Sequence, residues 1–197
     1  MGIFNATIPY MKTIYLGTGG FWTPEAVYKQ VKGVHEVVPG YMGGTVANPS
    51  HEVVSTGTTG HIEVVMIMHD EAVVDTEQLL KIFYAMHDES GQQYPSIGIG
   101  SQYRSVIFYT DDVQAEASDP DNGGDVGLIT KVMEKVQSTL PEGASISTQI
   151  MSAKEFYPAE EHHYDFYGKN PDSVYSTEVI NPMLQKIKNQ YPDLFIN

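Results

Sequence analysis

His61-Ile62-Glu63-Val64-Val65-Met66-Ile67-Met68-His69 holds an apolar run centred on Val64, Val65, Met66 and Ile67, the pattern of a strand buried on both faces. Downstream, Asp75-Thr76-Glu77-Gln78 is a capping-box pattern ahead of Leu79, Leu80 and Phe83, which predicts a helix to about Met86. Upstream, Val34 to Tyr41 is β-rich and runs into Gly40-Tyr41-Met42-Gly43-Gly44, followed by a loop through Asn48-Pro49-Ser50-His51. Earlier still, Lys12-Thr13-Ile14-Tyr15-Leu16-Gly17 reads as a short strand with a glycine-rich exit through Gly19-Gly20-Phe21-Trp22. Thr23 as N-cap and Pro24 at the first helical position predict a helix to about Val31, stopped by Gly33. After a long loop, Tyr103 to Thr110 reads as a fourth strand.

The order β-α-β-β-α-β is that of a split βαβ, a ferredoxin-like two-layer α/β sandwich of the α+β class. Beyond it the pattern predicts a helix around Gly127 to Thr139, a strand around Ile146 to Met151, a short helix after Pro158 and a last helix following Pro182. The expected organisation is one domain over residues 1–197, with a core of about 12–151 and a C-terminal extension over 152–197. There is no internal repeat and no linker; Asp119-Pro120-Asp121-Asn122-Gly123-Gly124 reads as a solvated connection. In this topology the first and third strands are central, adjacent and antiparallel. The end of the first therefore lies beside the starts of the third and fourth, gathering Gly20, Phe21, Trp22, Glu63 and Tyr103 at one edge, into which the His51 loop also connects.

Composition narrows the chemistry. With 25 Asp and Glu against 11 Lys and Arg, the surface repels phosphate backbones and anionic bilayers, so no nucleic-acid or membrane partner is expected. No apolar run reaches the roughly 20 residues of a membrane span, and Met1-Gly2-Ile3-Phe4-Asn5 lacks the features of a signal peptide, giving a cytoplasmic expectation. The cysteine count is zero, which excludes disulfides, thiolate metal sites and a cysteine nucleophile within these residues.

Gly19-Gly20-Phe21-Trp22 resembles the Gly-Cys-Phe-Trp signature of the peptide methionine sulfoxide reductase A family, with glycine where that family has its nucleophile. The resemblance continues in family order through Gly40-Tyr41-Met42-Gly43-Gly44, Asn48-Pro49-Ser50, Thr59-Gly60-His61-Ile62-Glu63, His87-Asp88, Ser101-Gln102-Tyr103-Arg104-Ser105 and Phe156-Tyr157-Pro158-Ala159-Glu160-Glu161. It implies a reaction in which a cysteine thiolate attacks the sulfoxide sulfur, a carboxylic acid protonates the departing oxygen, and a second cysteine with thioredoxin recycles the sulfenic acid. Carried over by resemblance, Phe21 and Trp22 keep the pocket for the S-methyl group, Glu63 keeps the acid and Tyr103 keeps one oxygen-binding hydroxyl. Four positions depart: Gly20 at the nucleophile, His51 where a second pocket tyrosine is usual, Gly98 where an aspartate is expected, and Ser176 where many members carry a recycling cysteine.

These departures touch the nucleophile, the oxygen-binding set and the recycling step together. The resulting expectation is a reductase-inactive homologue, a pseudoenzyme keeping a small sulfoxide-like ligand pocket, with no cofactor, no metal and no thioredoxin recycling. Gly20, Phe21 and Trp22 are its expected binding residues. The alternative is a repurposed enzyme in which Glu63, Tyr103 and His51 perform acid–base chemistry on another small substrate. An engineered cysteine-free reductase would account for Gly20 and Ser176, but gives no reason for His51 or Gly98. Gly19 and Gly20 either leave free backbone donors at the start of the first helix or simply relieve a tight turn. His51, His61 and Glu63 also raise a zinc or iron site, against which the default is hydrogen-bonded histidine.

Overall fold

The computed structural model describes residues 10–87, 100–110, 125–143 and 145–196. Among them six strands form one mixed sheet: β1 (Met11–Thr18), β2 (Val34–Met42), β3 (Ile62–Asp70), β4 (Ser105–Tyr109), β5 (Gln149–Ser152) and β6 (Tyr157–Pro158). Their order is β5-β4-β1-β3-β2-β6, whose central four are the ferredoxin-like arrangement expected from the element order. All neighbours are antiparallel except β4 and β5.

β3 is the middle of the sheet, paired with β1 (Leu16 opposite Val65) and with β2 (Tyr41 opposite Glu63). Its alternation divides two cores. Val65 and Ile67 join the main cluster under the helices, whereas Ile62 and Val64 join Met42, Val106 and Phe108 on the opposite face. The first half of the strand is thus buried on both faces, as its apolar run predicts; Met66 and Met68 farther along are only half-buried. Glu63 shares the helix-covered face with Val65 and Ile67, so a carboxylate lies at the end of an apolar row.

The helices are α1 (Trp22–Tyr28), α2 (His51–Ser55), α3 (Thr76–Ala85), α4 (Asp125–Gln137), α5 (Phe166–Lys169) and α6 (Asn181–Gln190). The capping box of α3 forms in full: the Asp75 carboxylate accepts from the Gln78 N–H, and the Gln78 side chain accepts from the Asp75 N–H.

Four expectations need correction. Thr23 lies inside α1, not at its cap, because the helix starts at Trp22 behind Phe21, which makes no side-chain cap. His51 lies in the first turn of a short helix capped by Ser50, not in a loop. Tyr103 belongs to a 3₁₀ turn (Ser101–Tyr103) that precedes β4. The last helix also begins earlier than Pro182 predicts, since a π-helical turn (Ser176–Ile180) leads directly into α6.

The segment after residue 152 adds the edge strand β6 against Gly40 and Tyr41, then crosses α1 and returns as α6. Its attachment to α1 is specific. Buried Glu25 accepts from the Asp165 N–H at 2.8 Å, and Lys29 bridges Asp165 (2.9 Å) and Glu25 (3.3 Å). Asp165 is held at φ 54°, a left-handed conformation that a non-glycine residue adopts only with local compensation. No helix among the described residues is long and apolar enough to cross a membrane.

Candidate functional site

The end of β1, the first turns of α1 and α2, the start of β3 and the 3₁₀ turn before β4 converge as the topology predicts. Gly20, Phe21, Trp22, His51, Glu63 and Tyr103 all line one cavity of about 510 Å³. Gly98 and Asp88 lie outside the described residues.

Glu63 anchors the cavity. It is 3 % exposed, one carboxylate oxygen accepts from the Phe21 N–H at 3.2 Å, and the other faces His51 Nε2 at 3.5 Å. One of the backbone donors expected to be free at the start of α1 is therefore occupied by Glu63. Gly19 has φ +100°, so there the tight-turn reading of the glycine pair holds. Gly20 needs no such conformation. A Cβ built on it would meet Glu63 Oε2 at 3.8 Å and the Tyr175 hydroxyl at 3.9 Å, both ordinary contacts. The position tolerates a side chain and carries none.

The Glu63 carboxylate raises the pKa of His51, chiefly by its direct contact with the imidazole and against the cost of burial. His51 is placed by its backbone: its N–H donates to Glu160 at 2.8 Å, and Glu160 also accepts from the Tyr41 hydroxyl at 2.8 Å. Burial pushes the Glu160 carboxyl up, but the bonds donated by His51 and Tyr41 outweigh it and leave its pKa lowered. Beside His51, with ring centroids 4.5 Å apart, lies buried His163. Desolvation and the neighbouring imidazole press its pKa down to about 4, so the two adjacent rings are shifted in opposite directions and His163 is neutral at pH 7.

Aromatic rings close the cavity. Phe21 is buried against Tyr41, His51 and His163; Trp22 is stacked on Phe166 at 3.9 Å and meets Tyr175 edge-on at 5.4 Å. The Tyr175 hydroxyl is within 3.2 Å of Thr23 Oγ1. Burial raises the pKa of both Tyr103 and Tyr175, and the Glu63 charge adds to it, so both phenols are protonated donors at neutral pH. The cavity offers a wall of aromatic faces, a buried carboxylate and two phenolic donors, and at Gly20 it offers no nucleophile.

His61 does not join this set. Its Nδ1 accepts from the Gly44 N–H at 3.2 Å, so its Nε2 carries the proton and donates to the Val46 carbonyl at 2.8 Å. Both nitrogens hold the glycine loop, and no group of three His, Asp or Glu among the described residues is arranged to hold a metal ion. Ser176 is fully buried, its hydroxyl donating to the Asn170 carbonyl at 2.6 Å. Sequence reasoning missed Tyr175, Glu160, His163 and Phe166. Glu160 lies in a quoted motif; the others come from a segment with no periodic signal.

The sequence profile of the family described as "Peptide methionine sulfoxide reductase" matches residues 12–194. The chain is 37% identical to the peptide methionine sulfoxide reductase MsrA of Psychrobacter cryohalolentis over 95% of this chain and all of that protein. It is 38% identical to the MsrA of Saccharolobus solfataricus, over 93% of this chain and 96% of that one. Among solved structures it resembles the methionine sulfoxide reductase A of Corynebacterium diphtheriae, with TM-score 0.68, 28% identity and coverage of 85% of this chain and 78% of that one. The reduced form of Mxr1 from Saccharomyces cerevisiae gives TM-score 0.67 at 28% identity, over 83% and 88% of the two chains.

Proposed function

We propose that this chain, which belongs to the peptide methionine sulfoxide reductase family, is a binding homologue that captures a methyl sulfoxide group without reducing it. The observation that carries the reading is the empty position at Gly20 within contact distance of Glu63 and Tyr175, at the head of a cavity that keeps Phe21 and Trp22. The sulfoxide oxygen is an acceptor that suits the Tyr103 and Tyr175 phenols, and the S-methyl group suits the aromatic faces. Reduction needs two electrons, which in the family's reaction come from a thiol. These 197 residues hold no cysteine to supply them and no disulfide for a thioredoxin to reduce.

The test is calorimetric titration with a blocked methionine sulfoxide, using the S and R epimers at sulfur separately, with thioether formation assayed in the same mixtures. Selective binding of the S epimer with no thioether formed is the expected result. Turnover that scales with protein would overturn the reading, as would failure to bind either epimer.

The contact between His51 and Glu63 favours one second reading, acid–base catalysis on a different small substrate. Glu63 raises the pKa of His51 and so favours its protonated form, and activity would follow the titration of that ring. Loss of such an activity in both His51→Phe and Glu63→Gln would support this; indifference to both would remove it.

A further inference from the structure

We propose that the cavity between α3, α4 and α6 is a second ligand site, taking a small amphipathic anion: an aliphatic chain with one carboxylate. At about 710 Å³ it is larger than the Gly20 cavity, and the two share Lys186 in their linings, with Ala85 and His87 lining this one and Met86 the other.

Two independent observations select the ligand. The first is charge. Lys81, Lys135 and Lys186, three of the chain's 11 basic residues, line this one cavity, and Glu77 is the only acid lining it among the described residues. Glu77 pairs with Lys81 at 2.7 Å, so the lining carries a local excess of positive charge on a molecule whose net charge is −14. An anion is drawn to such a local excess of positive charge.

The second is the Tyr84 hydroxyl. Tyr84 is 9% exposed, and its oxygen is buried with no hydrogen-bond partner in good geometry among the described residues. Thr148 Oγ1, bonded to Ser105 at 2.7 Å, stands near enough to lower the phenol's pKa without making a well-formed hydrogen bond to it. Burial pushes the Tyr84 phenol up to about 12, so it is a donor at neutral pH. A buried donor left unpaired is unfavourable, and a carboxylate oxygen is its best available acceptor. Val132, Val136, Leu140 and Ile146 supply the aliphatic walls.

Octanoate is the probe, with octanol as its uncharged counterpart, each titrated calorimetrically into the full chain at low and moderate salt. Octanoate is expected to bind at least about tenfold more tightly than octanol, and to weaken with salt. Tyr84→Phe is expected to raise the octanoate Kd about fivefold to tenfold. Lys135→Gln is expected to raise it about threefold, while Lys135→Arg leaves it near the parent value. The single tryptophan, Trp22, lines the Gly20 cavity and not this one, so octanoate should leave its emission unchanged. No binding, equal binding of acid and alcohol, indifference to Tyr84→Phe in a protein with parental circular dichroism, or a shift of Trp22 emission would each overturn the proposal.

Discussion

The carboxylate of Glu63 and the imidazole of His51 face one another at 3.5 Å, one 3% exposed and the other about one-third exposed, in the cavity that Gly20 also lines. The second oxygen of Glu63 accepts from the Phe21 N–H, so this side chain ties β3, α1 and α2 together at one point. The other oxygen makes no hydrogen bond of its own among the described residues and has only the His51 contact, and that pair has a pH signature.

Because Glu63 raises the His51 pKa, the pair stabilises the fold fully below the unfolded histidine value of 6.5 and loses that contribution as pH rises through the folded value. His51→Phe should therefore cost most stability in mildly acidic solution and progressively less above neutrality. The partial exposure of His51 keeps the difference to about 0.5–1 kcal/mol. Urea unfolding of parent and variant between pH 5.5 and about 8.5 measures it; a gap that widens with pH would contradict the pairing.

His163 behaves oppositely. With its folded pKa pressed down to about 4, the unfolded chain binds more protons than the folded one between that value and 6.5, so stability falls as pH is lowered across this window. His163→Phe removes the titration, and the variant should gain on the parent by about 1–3 kcal/mol from pH 7 to pH 4.5. The same variant removes a ring 4.5 Å from His51 that is already neutral where His51 titrates, so the His51 titration followed by proton NMR should stay near the parent's. A clear upward shift would mean that His163 is charged in that range, against a folded pKa of about 4.

The fold was legible in the sequence because its decisive elements are written in local patterns. The apolar run of β3 and the Asp75 capping box need no tertiary information, and the element order alone brings the ends of β1, β3 and β4 together. The same rule located Phe21, Trp22, Glu63 and Tyr103. The opposite wall was not legible. Phe166 reaches Trp22 only because Asp165 turns the chain at φ 54° and clamps to Glu25 140 residues away, a bond with no local signature. Tyr175 had been passed over in favour of its neighbour Ser176, although it is the tyrosine whose hydroxyl faces Gly20.

Tyr175→Phe tests that hydroxyl. Losing the contact with Thr23 at 3.2 Å should cost about 1 kcal/mol of stability. Losing the donor should weaken binding of the S sulfoxide by about fivefold while leaving the aromatic edge against Trp22 in place. Calorimetry on the variant decides: unchanged affinity would place the sulfoxide oxygen elsewhere, at Tyr103 or Glu63.

If Gly20 stands at the family's nucleophile position, as the resemblance implies, Gly20→Cys supplies the sulfur that the family's reaction requires. The built Cβ meets Glu63 Oε2 and the Tyr175 hydroxyl at 3.8 and 3.9 Å, and Gly20 has no left-handed backbone to strain, so stability should change by less than about 1 kcal/mol. The thiolate would attack the sulfoxide sulfur and be oxidised to a sulfenic acid, the substrate leaving as thioether. With serine at 176, buried and bonded to Asn170, no internal thiol follows, so the variant should give one thioether per chain and turn over only with added small thiol. Gly20→Ser fills the same space without that chemistry and should give none. Single-turnover product counts compare the two. Reduction by neither variant, with the S sulfoxide still bound, would mean that replacing the family's tyrosine by His51 has moved the sulfur out of reach of position 20.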